Sequence, residues 1–265
     1  MDIKKIQNKD KLYSFFKSNL CLYSYHVGDL DDFFFKDSTY YSLVDDTKTN
    51  ICEVCLLYKG LSTVTVLAFG IGTNFAFLLD KIINFLPDRF FCHYQPIYEK
   101  IFNKRYERID LGLHFKMVLK NNSEDQTIDT SNIITLNSSH HKLLQDFYKE
   151  SYPDTYFESY MLDTGYYYGL LDDNGSIISV TGVHTYSKEF KLAVLGNIAT
   201  HPLQRGKGYS YLLISHLISK LQETCDFISL NVKADNNSAI KLYKKLGFEI
   251  CTQYKEALFQ TKIRQ

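Results

Sequence analysis

Residues 195–210 read Leu-Gly-Asn-Ile-Ala-Thr-His-Pro-Leu-Gln-Arg-Gly-Lys-Gly-Tyr-Ser. Alternation of Gly206 and Gly208 with Arg205 and Lys207 suits a pyrophosphate. Glycine lets the backbone approach closely and aim consecutive N–H groups at one anion. The loop feeds a helix-like run, and the free N–H groups and dipole at a helix start favour the same charge. Taken alone, Arg-Gly-Lys-Gly is also what a basic surface loop looks like. Two familiar phosphate loops do not fit. The chain has no G-x-x-x-x-G-K-S/T run, and the third glycine of a dinucleotide fingerprint is missing here.

A second run, Asn231 to Phe248, brings a phenol. Asp235 or Asn236 can cap a helix in which Ala239, Ile240, Tyr243 and Leu246 share one face. Gly247 suits the turn that ends it. By itself this is an ordinary amphipathic helix with Tyr243 as a core aromatic.

These residues need a scaffold. A helix is expected over Ser138–Glu150, then two strands joined by a turn at Asn174–Gly175. Residues 191–200 read as a third strand, 209–221 as a helix, 227–232 as a fourth strand, 236–246 as a helix and 248–261 as a final strand pair. The first half repeats much of this order. Residues 39–46, 51–58 and 62–70 read as strands, Asn74–Leu86 as a helix, Arg89–Tyr94 as extended, Pro96–Asn103 as helical and Leu111–Leu119 as extended. The run Tyr40-Tyr41-Ser42-Leu43-Val44-Asp45-Asp46 also echoes Tyr167-Tyr168-Gly169-Leu170-Leu171-Asp172-Asp173. Common order and local echo predict an internal duplication. The polar stretch Lys120–Asn132 reads as a linker. We therefore expect two domains, 1–125 and 133–265.

Together the two motifs resemble the GNAT superfamily of N-acetyltransferases. That pattern is a strand, Gln/Arg-x-x-Gly-x-Gly/Ala, a helix, another strand, then Asn-x-x-Ala-x-x-x-Tyr-x-x-x-Gly-Phe. Arg205, Gly208 and Ser210 fill the first motif, with Ser210 where Gly or Ala is usual. Asn236, Ala239, Tyr243, Gly247 and Phe248 fill the second. The resemblance covers about Ile133 to Gln265, and its flavour is glycine N-acyltransferase-like. It implies an α/β fold of the α+β type, with a mixed, mostly antiparallel twisted sheet and flanking helices, duplicated in tandem. It implies acetyl-CoA, or another acyl-CoA, as co-substrate and no metal. The backbone of Ile198, Ala199 and Thr200 would pair with the pantetheine arm. Arg205 and the N–H groups of Gly206, Lys207, Gly208, Tyr209, Ser210 and Tyr211 would hold the pyrophosphate. The Asn236 side chain would bond the pantetheine, and Tyr243 would protonate the leaving thiolate.

The amine must be neutral to attack. At pH 7 deprotonation costs about 4.6 kcal/mol for a lysine amine near pKa ~10.4, but only about 1 kcal/mol for an α-amine near ~7.8. Many relatives place a Glu in the strand before the loop, yet 192–200 holds no acid and Val194 lies near that position. His184 is the first candidate base and His201 the second, since imidazole titrates in the useful range. Asn197 could orient a water or the substrate, and backbone N–H groups of residues 197–200 could stabilise the oxyanion. An α-amine acceptor is the expectation, on a small molecule or peptide. The corresponding turn of the first half, Phe69-Gly70-Ile71-Gly72-Thr73-Asn74, lacks a basic residue, and Phe102 falls near where a catalytic tyrosine might align. That half is expected to be a degenerate copy without cofactor.

Composition narrows the alternatives. The 265 residues are 45% hydrophobic and 23% charged, enough for a full core and unlike a disordered chain. Lys+Arg and Asp+Glu are both 30, and this balance argues against nucleic acid as a main partner. It also weighs against tandem aminoacyl transferases that use charged tRNA. A non-catalytic CoA-binding module is the other rival, opposed by the intact loop and Tyr243. The charged N-terminus lacks a secretory signal pattern, so a cytoplasmic protein without membrane attachment is expected. The uncharged run Gly60–Leu79 is long enough for a bilayer but reads as a strand, turn and helix. Six cysteines are expected to be reduced, with Cys52 and Cys55 on opposite faces of a strand rather than in a metal site. Oligomeric state is not legible.

Overall fold

The computed structural model describes residues 1–120, 130–153 and 155–262. Along the first part lie β1 (Asp2–Lys5), α1 (Lys9–Phe16), α2 (Leu20–Gly28), α3 (Asp32–Phe35), β2 (Ser38–Val44), β3 (Ile51–Tyr58), β4 (Thr65–Ala68), α4 (Gly72–Ile82), β5 (Arg89–Tyr94), α5 (Glu99–Phe102) and β6 (Tyr106–Leu119). Then come β7 (Ile133–Thr135), α6 (His141–Ser151), β8 (Tyr168–Leu171), β9 (Ile177–Ser187), β10 (Leu192–Thr200), α7 (Tyr209–Gln222), β11 (Phe227–Lys233), α8 (Asn237–Lys245) and β12 (Phe248–Thr261). Most of the expected linker 120–132 lies outside the described residues. The uncharged run 60–79 is β4, a turn and the start of α4, as its alternation implied. Among the described residues, no helix is long and apolar enough to cross a membrane.

The chain forms two compact units. The first comprises Met1–Lys116, Val232–Asn236 and Ile250–Gln265; the second comprises Met117–Asn231 and Asn237–Glu249. The expected domain 133–265 is contiguous in sequence, whereas the structure groups its last segment with the first unit. The reason is β12, which pairs antiparallel with β5 from Lys255 opposite Tyr94 to Gln260 opposite Arg89. Residues 248–261 are also one strand, not the expected pair. No Gly, Pro, Asn or Asp interrupts them, so nothing in the run turns the chain.

In the first unit, β1, β2, β3 and β4 are antiparallel neighbours and β4 runs parallel to β5. Phe75, Leu78, Leu79 and Ile82 fall on one stripe of α4 and pack into a core with Leu57, Val66, Phe90, Phe102 and Phe259. Cys55 is buried on β3 and Cys52 is half-buried there. The expectation of six reduced cysteines fails at one pair. Packing of α2 brings Cys21 to Cys251 on β12, and the two form a disulfide with Cα atoms 6.5 Å apart. A pairing 230 residues apart is invisible to local spacing.

Lys116 on β6 is 2% exposed in this unit. Its ammonium lies 4.9 Å from the Tyr25 ring centre, 4.7 Å from Phe69 and 5.7 Å from Tyr254. Burial pulls its pKa down to about 7, opposed by the Glu256 carboxylate. An unfolded lysine holds its proton to about pH 10.4. Between these values the unfolded chain binds more protons, so stability rises with pH through this window. Lys116→Met is expected to flatten that rise and to raise the melting temperature near pH 7 by about 2–4 °C per kcal/mol of relieved cost. Melting curves of both proteins at about pH 7 and about pH 9.5 check it, and an unchanged slope would contradict it.

In the second unit, β7, β8, β9 and β10 are antiparallel neighbours, and β10 runs parallel to β11. Leu213, Ile214, Leu217 and Leu221 of α7 are buried at helical spacing, as are Leu144, Phe147, Tyr148 and Ser151 of α6. This unit carries the Gly-rich loop and Tyr243.

Candidate active site

β10 has different neighbours along its length. It pairs with β11 only from Leu192 opposite Phe227 to Leu195 opposite Leu230. With β9 it continues to Thr200 opposite Ser179. Past Leu195 the two parallel strands therefore part, which leaves one side of Gly196–Thr200 without a β11 partner. Such an edge can take an extended ligand as an added strand.

Two bulges lie at this parting. Thr185 pairs with Val194 and Val183 pairs with Leu195, so His184 is an extra residue on β9. Gly196 pairs with Gly182 and Ala199 with Val180, so β10 carries one extra residue beside Asn197. Asn197 is left-handed, with φ 54°. The facing glycines leave one patch of sheet bare, and two rings fill it. A Cβ on Gly196 would lie 1.5 Å from His184 Cδ2, and one on Gly182 would lie 2.4 Å from Tyr167 Cε1.

The loop after β10 is built by its own side chains. His201 Nδ1 accepts from Leu203 N–H at 3.3 Å and caps the short turn Pro202–Gln204. Its Nε2 lies 3.4 Å from Glu150. Both ring nitrogens thus serve the loop entry. Arg205 Nε donates to the Thr200 carbonyl at 3.1 Å and Nη2 to the Ser151 carbonyl at 3.4 Å. Its guanidinium therefore clamps the loop to β10 and α6. Lys207 donates to Gln204 at 2.7 Å. Gly206 and Gly208 have φ 78° and 84°, and Gly208 enters α7 without a side-chain cap. The first N–H groups of a helix have no partner within it. Those of Tyr209, Ser210 and Tyr211 thus stand at the mouth of a 14-residue helix, next to two cations.

Ser210, the departure from the family pattern, gains a role. Its hydroxyl lies 2.8 Å from Thr200 Oγ1, which lies 2.7 Å from Ser179 Oγ. The first turn of α7 is thereby tied to the end of β10 and to β9. Lys245 of α8 stacks over the Tyr211 ring at 4.6 Å.

Tyr243 is 7% exposed on α8, and burial pushes its pKa well above the ordinary tyrosine value, with a smaller push from Tyr152. Tyr152 also acts on Tyr148, whose hydroxyl donates to the Asn197 carbonyl at 2.8 Å. Val194, near the place of a frequent glutamate, is fully buried and apolar. Ile198 and Thr200 are half-buried and Ala199 is buried. Asn236 belongs to the segment grouped with the first unit, and its N–H donates to the Lys233 carbonyl at 3.0 Å.

Sequence reasoning missed the residues around Asn197. Its Nδ2 donates to Tyr167 Oη at 2.8 Å and contacts Met161 Sδ at 3.4 Å, and its Oδ1 accepts from Thr155 at 3.0 Å. This side chain is thus bonded at both its nitrogen and its oxygen. One signal was available: an Asn inside a strand favours turns and the left-handed region.

The turn of the first unit is filled differently. Gly70 N–H donates to Gln95 Oε1 at 2.9 Å and Ile71 N–H to Glu53 Oε1 at 3.1 Å. Glu53 is 4% exposed, and burial raises its pKa to about 7. Phe102 packs in the core, stacked on Phe259 with ring centres 4.6 Å apart. The described residues contain no cluster that could hold a metal ion.

Residues 137–248 match the acetyltransferase (GNAT) family. A 54-residue stretch is 41% identical to the acetyltransferase SG1711 of Sodalis glossinidius, covering 20% of this chain and 38% of that relative. A Drosophila protein of solved structure superposes with TM-score 0.68 at 13% identity, over 97% of each chain. A tandem GNAT protein from the clavulanic acid biosynthesis pathway superposes with TM-score 0.60 at 11% identity, over 100% of this chain and 99% of its own. The fold is thus the α/β acyltransferase fold of GNAT proteins, and its likeness to a tandem member supports duplication.

Proposed function

We propose that this chain, which shares the GNAT fold and matches that family over residues 137–248, is an acyl-CoA-dependent N-acyltransferase acting on a primary amine. The observation that carries the reading is the parting of β10 from β11 beside a Gly-rich cationic turn that opens α7. An unpaired strand edge, followed at once by left-handed glycines and free helix amides, fits an extended arm ending in a pyrophosphate. When bound, acetyl-CoA supplies the activated acyl group.

The chain's residues divide the remaining work. Ile198–Thr200 hold the pantetheine arm, and the amides of Gly206–Tyr211 hold the pyrophosphate. Arg205 and Lys207 add charge, with Arg205 also shaping the loop through Thr200 and Ser151. His184 takes the proton of the attacking amine. Backbone N–H groups around Asn197 and Ile198 stabilise the charge that grows on the carbonyl oxygen. Tyr243 donates to the departing thiolate. The turn of the first unit holds no cofactor in this reading, since Gln95 and Glu53 take the Gly70 and Ile71 amides ahead of α4. This supports one acyl-CoA per chain.

The acceptor is an α-amine of a small molecule or peptide. No carboxylate stands on β10 to help remove the last proton of an ε-ammonium. Thiol release from acetyl-CoA across an amine panel near pH 7 tests this. Faster turnover of α-amines than of lysine ε-amines is expected. Equal or better turnover of ε-amines would overturn the acceptor assignment. Acyl-CoA binding with no turnover on a broad panel would favour a non-catalytic CoA-binding module.

A further inference from the structure

We infer that Asn197 is a positioning residue that locks the two bulges of the site to each other, an inference that rests on the proposed acyl transfer at this site. Three facts about Asn197 combine. It is a non-glycine residue in the left-handed region, it is 2% exposed, and its backbone and side chain are bonded from four directions. Asparagine tolerates the left-handed region better than most side chains, and at Asn197 the bonds to Tyr148, Thr155 and Tyr167 hold that conformation inside a strand.

The bonds explain what is held. Tyr148 of α6 donates to the Asn197 carbonyl, which fixes the β10 backbone at its extra residue. Thr155 donates to the side-chain oxygen and so ties it to the segment after α6. Asn197 Nδ2 donates to Tyr167 Oη, and that hydroxyl donates onward to the Val183 carbonyl at 3.1 Å. Val183 immediately precedes His184, the extra residue of β9. One relay thus runs from the β10 bulge to the β9 bulge through two side chains. It passes beside the facing glycines, where Tyr167 covers Gly182 and His184 covers Gly196.

In the proposed reaction the β10 bulge aims the amides that receive the carbonyl oxygen, and the β9 bulge aims the imidazole that takes the proton. These two groups must be set relative to each other to within fractions of an ångström. The Asn197 side chain is bonded to Thr155, Met161 and Tyr167 and has no part in the chemistry itself. It acts through the backbone of Ile198 and the carbonyl before His184.

Two variants test this. Asn197→Gly keeps a left-handed backbone accessible and removes the side-chain bonds. Tyr167→Phe keeps Asn197 and cuts the relay. Both should lower kcat about tenfold or more and shift the acidic limb of the pH–rate profile, while the acetyl-CoA Kd stays within about twofold. Unchanged kcat and pH profile in both variants would overturn the inference. So would a parallel loss of acetyl-CoA affinity, which would mark a merely structural role. If the wild-type chain turns over no amine, the reading of function falls and the lock is judged by amide hydrogen exchange. Exchange at Ile198 and His184 that quickens about tenfold or more in both variants supports it, and unchanged exchange overturns it.

Discussion

Replacing both Gly206 and Gly208 by valine should raise the acetyl-CoA Kd roughly 30- to 1,000-fold while leaving the chain folded. The two residues have φ 78° and 84°, where a branched side chain is strained. At about 1–2 kcal/mol each, the pair costs about 2–4 kcal/mol, and every 1.4 kcal/mol is about tenfold in affinity. The strain falls on binding rather than folding because both residues are exposed. An added Cβ meets no atom within 4 Å at either, so the loop relaxes freely in the unliganded chain. The relaxed loop no longer points its amides toward one anion. Calorimetric titration and a melting curve on the double variant check both halves. Unaltered affinity would contradict the assignment of the pyrophosphate to this loop.

Tyr243→Phe should lower kcat about 10- to 100-fold and leave the acetyl-CoA Kd within about twofold. The low end of the range for general acids follows from the environment. Burial raises the Tyr243 pKa above its ordinary value, so the phenol keeps its proton throughout the working range. Full transfer from such a phenol to a thiolate, whose thiol has pKa about 8.5, is uphill. Tyr243 therefore acts mainly by hydrogen-bonding the growing charge, and water completes the protonation. For the same reason no alkaline limb below about pH 10 should arise from this residue. Steady-state thiol release across pH measures both points. A kcat within about twofold of wild type would remove Tyr243 from the reaction.

The local features of the site were legible because they depend on local chemistry. Glycines between cations, a capped amphipathic helix and a β-like run ending in a turn each announce themselves over a few residues. The strand-turn-helix of 60–82 was legible for the same reason. What stayed hidden depends on residues distant in sequence. The β12 strand joins β5 across more than half the chain, and the Cys21–Cys251 pairing goes with it. Tyr148, Thr155 and Tyr167 look like ordinary helix, loop and strand residues until the fold places them around Asn197. Bulges are likewise a property of two strands in register, so His184 could be proposed as a base but not seen as an inserted residue. Charge balance said only that no polyanion surface was expected. It said nothing of Arg205, whose charge is spent in part on carbonyls of its own chain.

The central claim is that one half of this chain holds an acyl-CoA and the other does not. Titration of the full chain with acetyl-CoA by isothermal calorimetry tests it most directly. One site per chain is expected, lost in the Gly206→Val/Gly208→Val variant and retained in Tyr243→Phe. Absence of binding, two equivalent sites, or a single site indifferent to the glycine changes would contradict it.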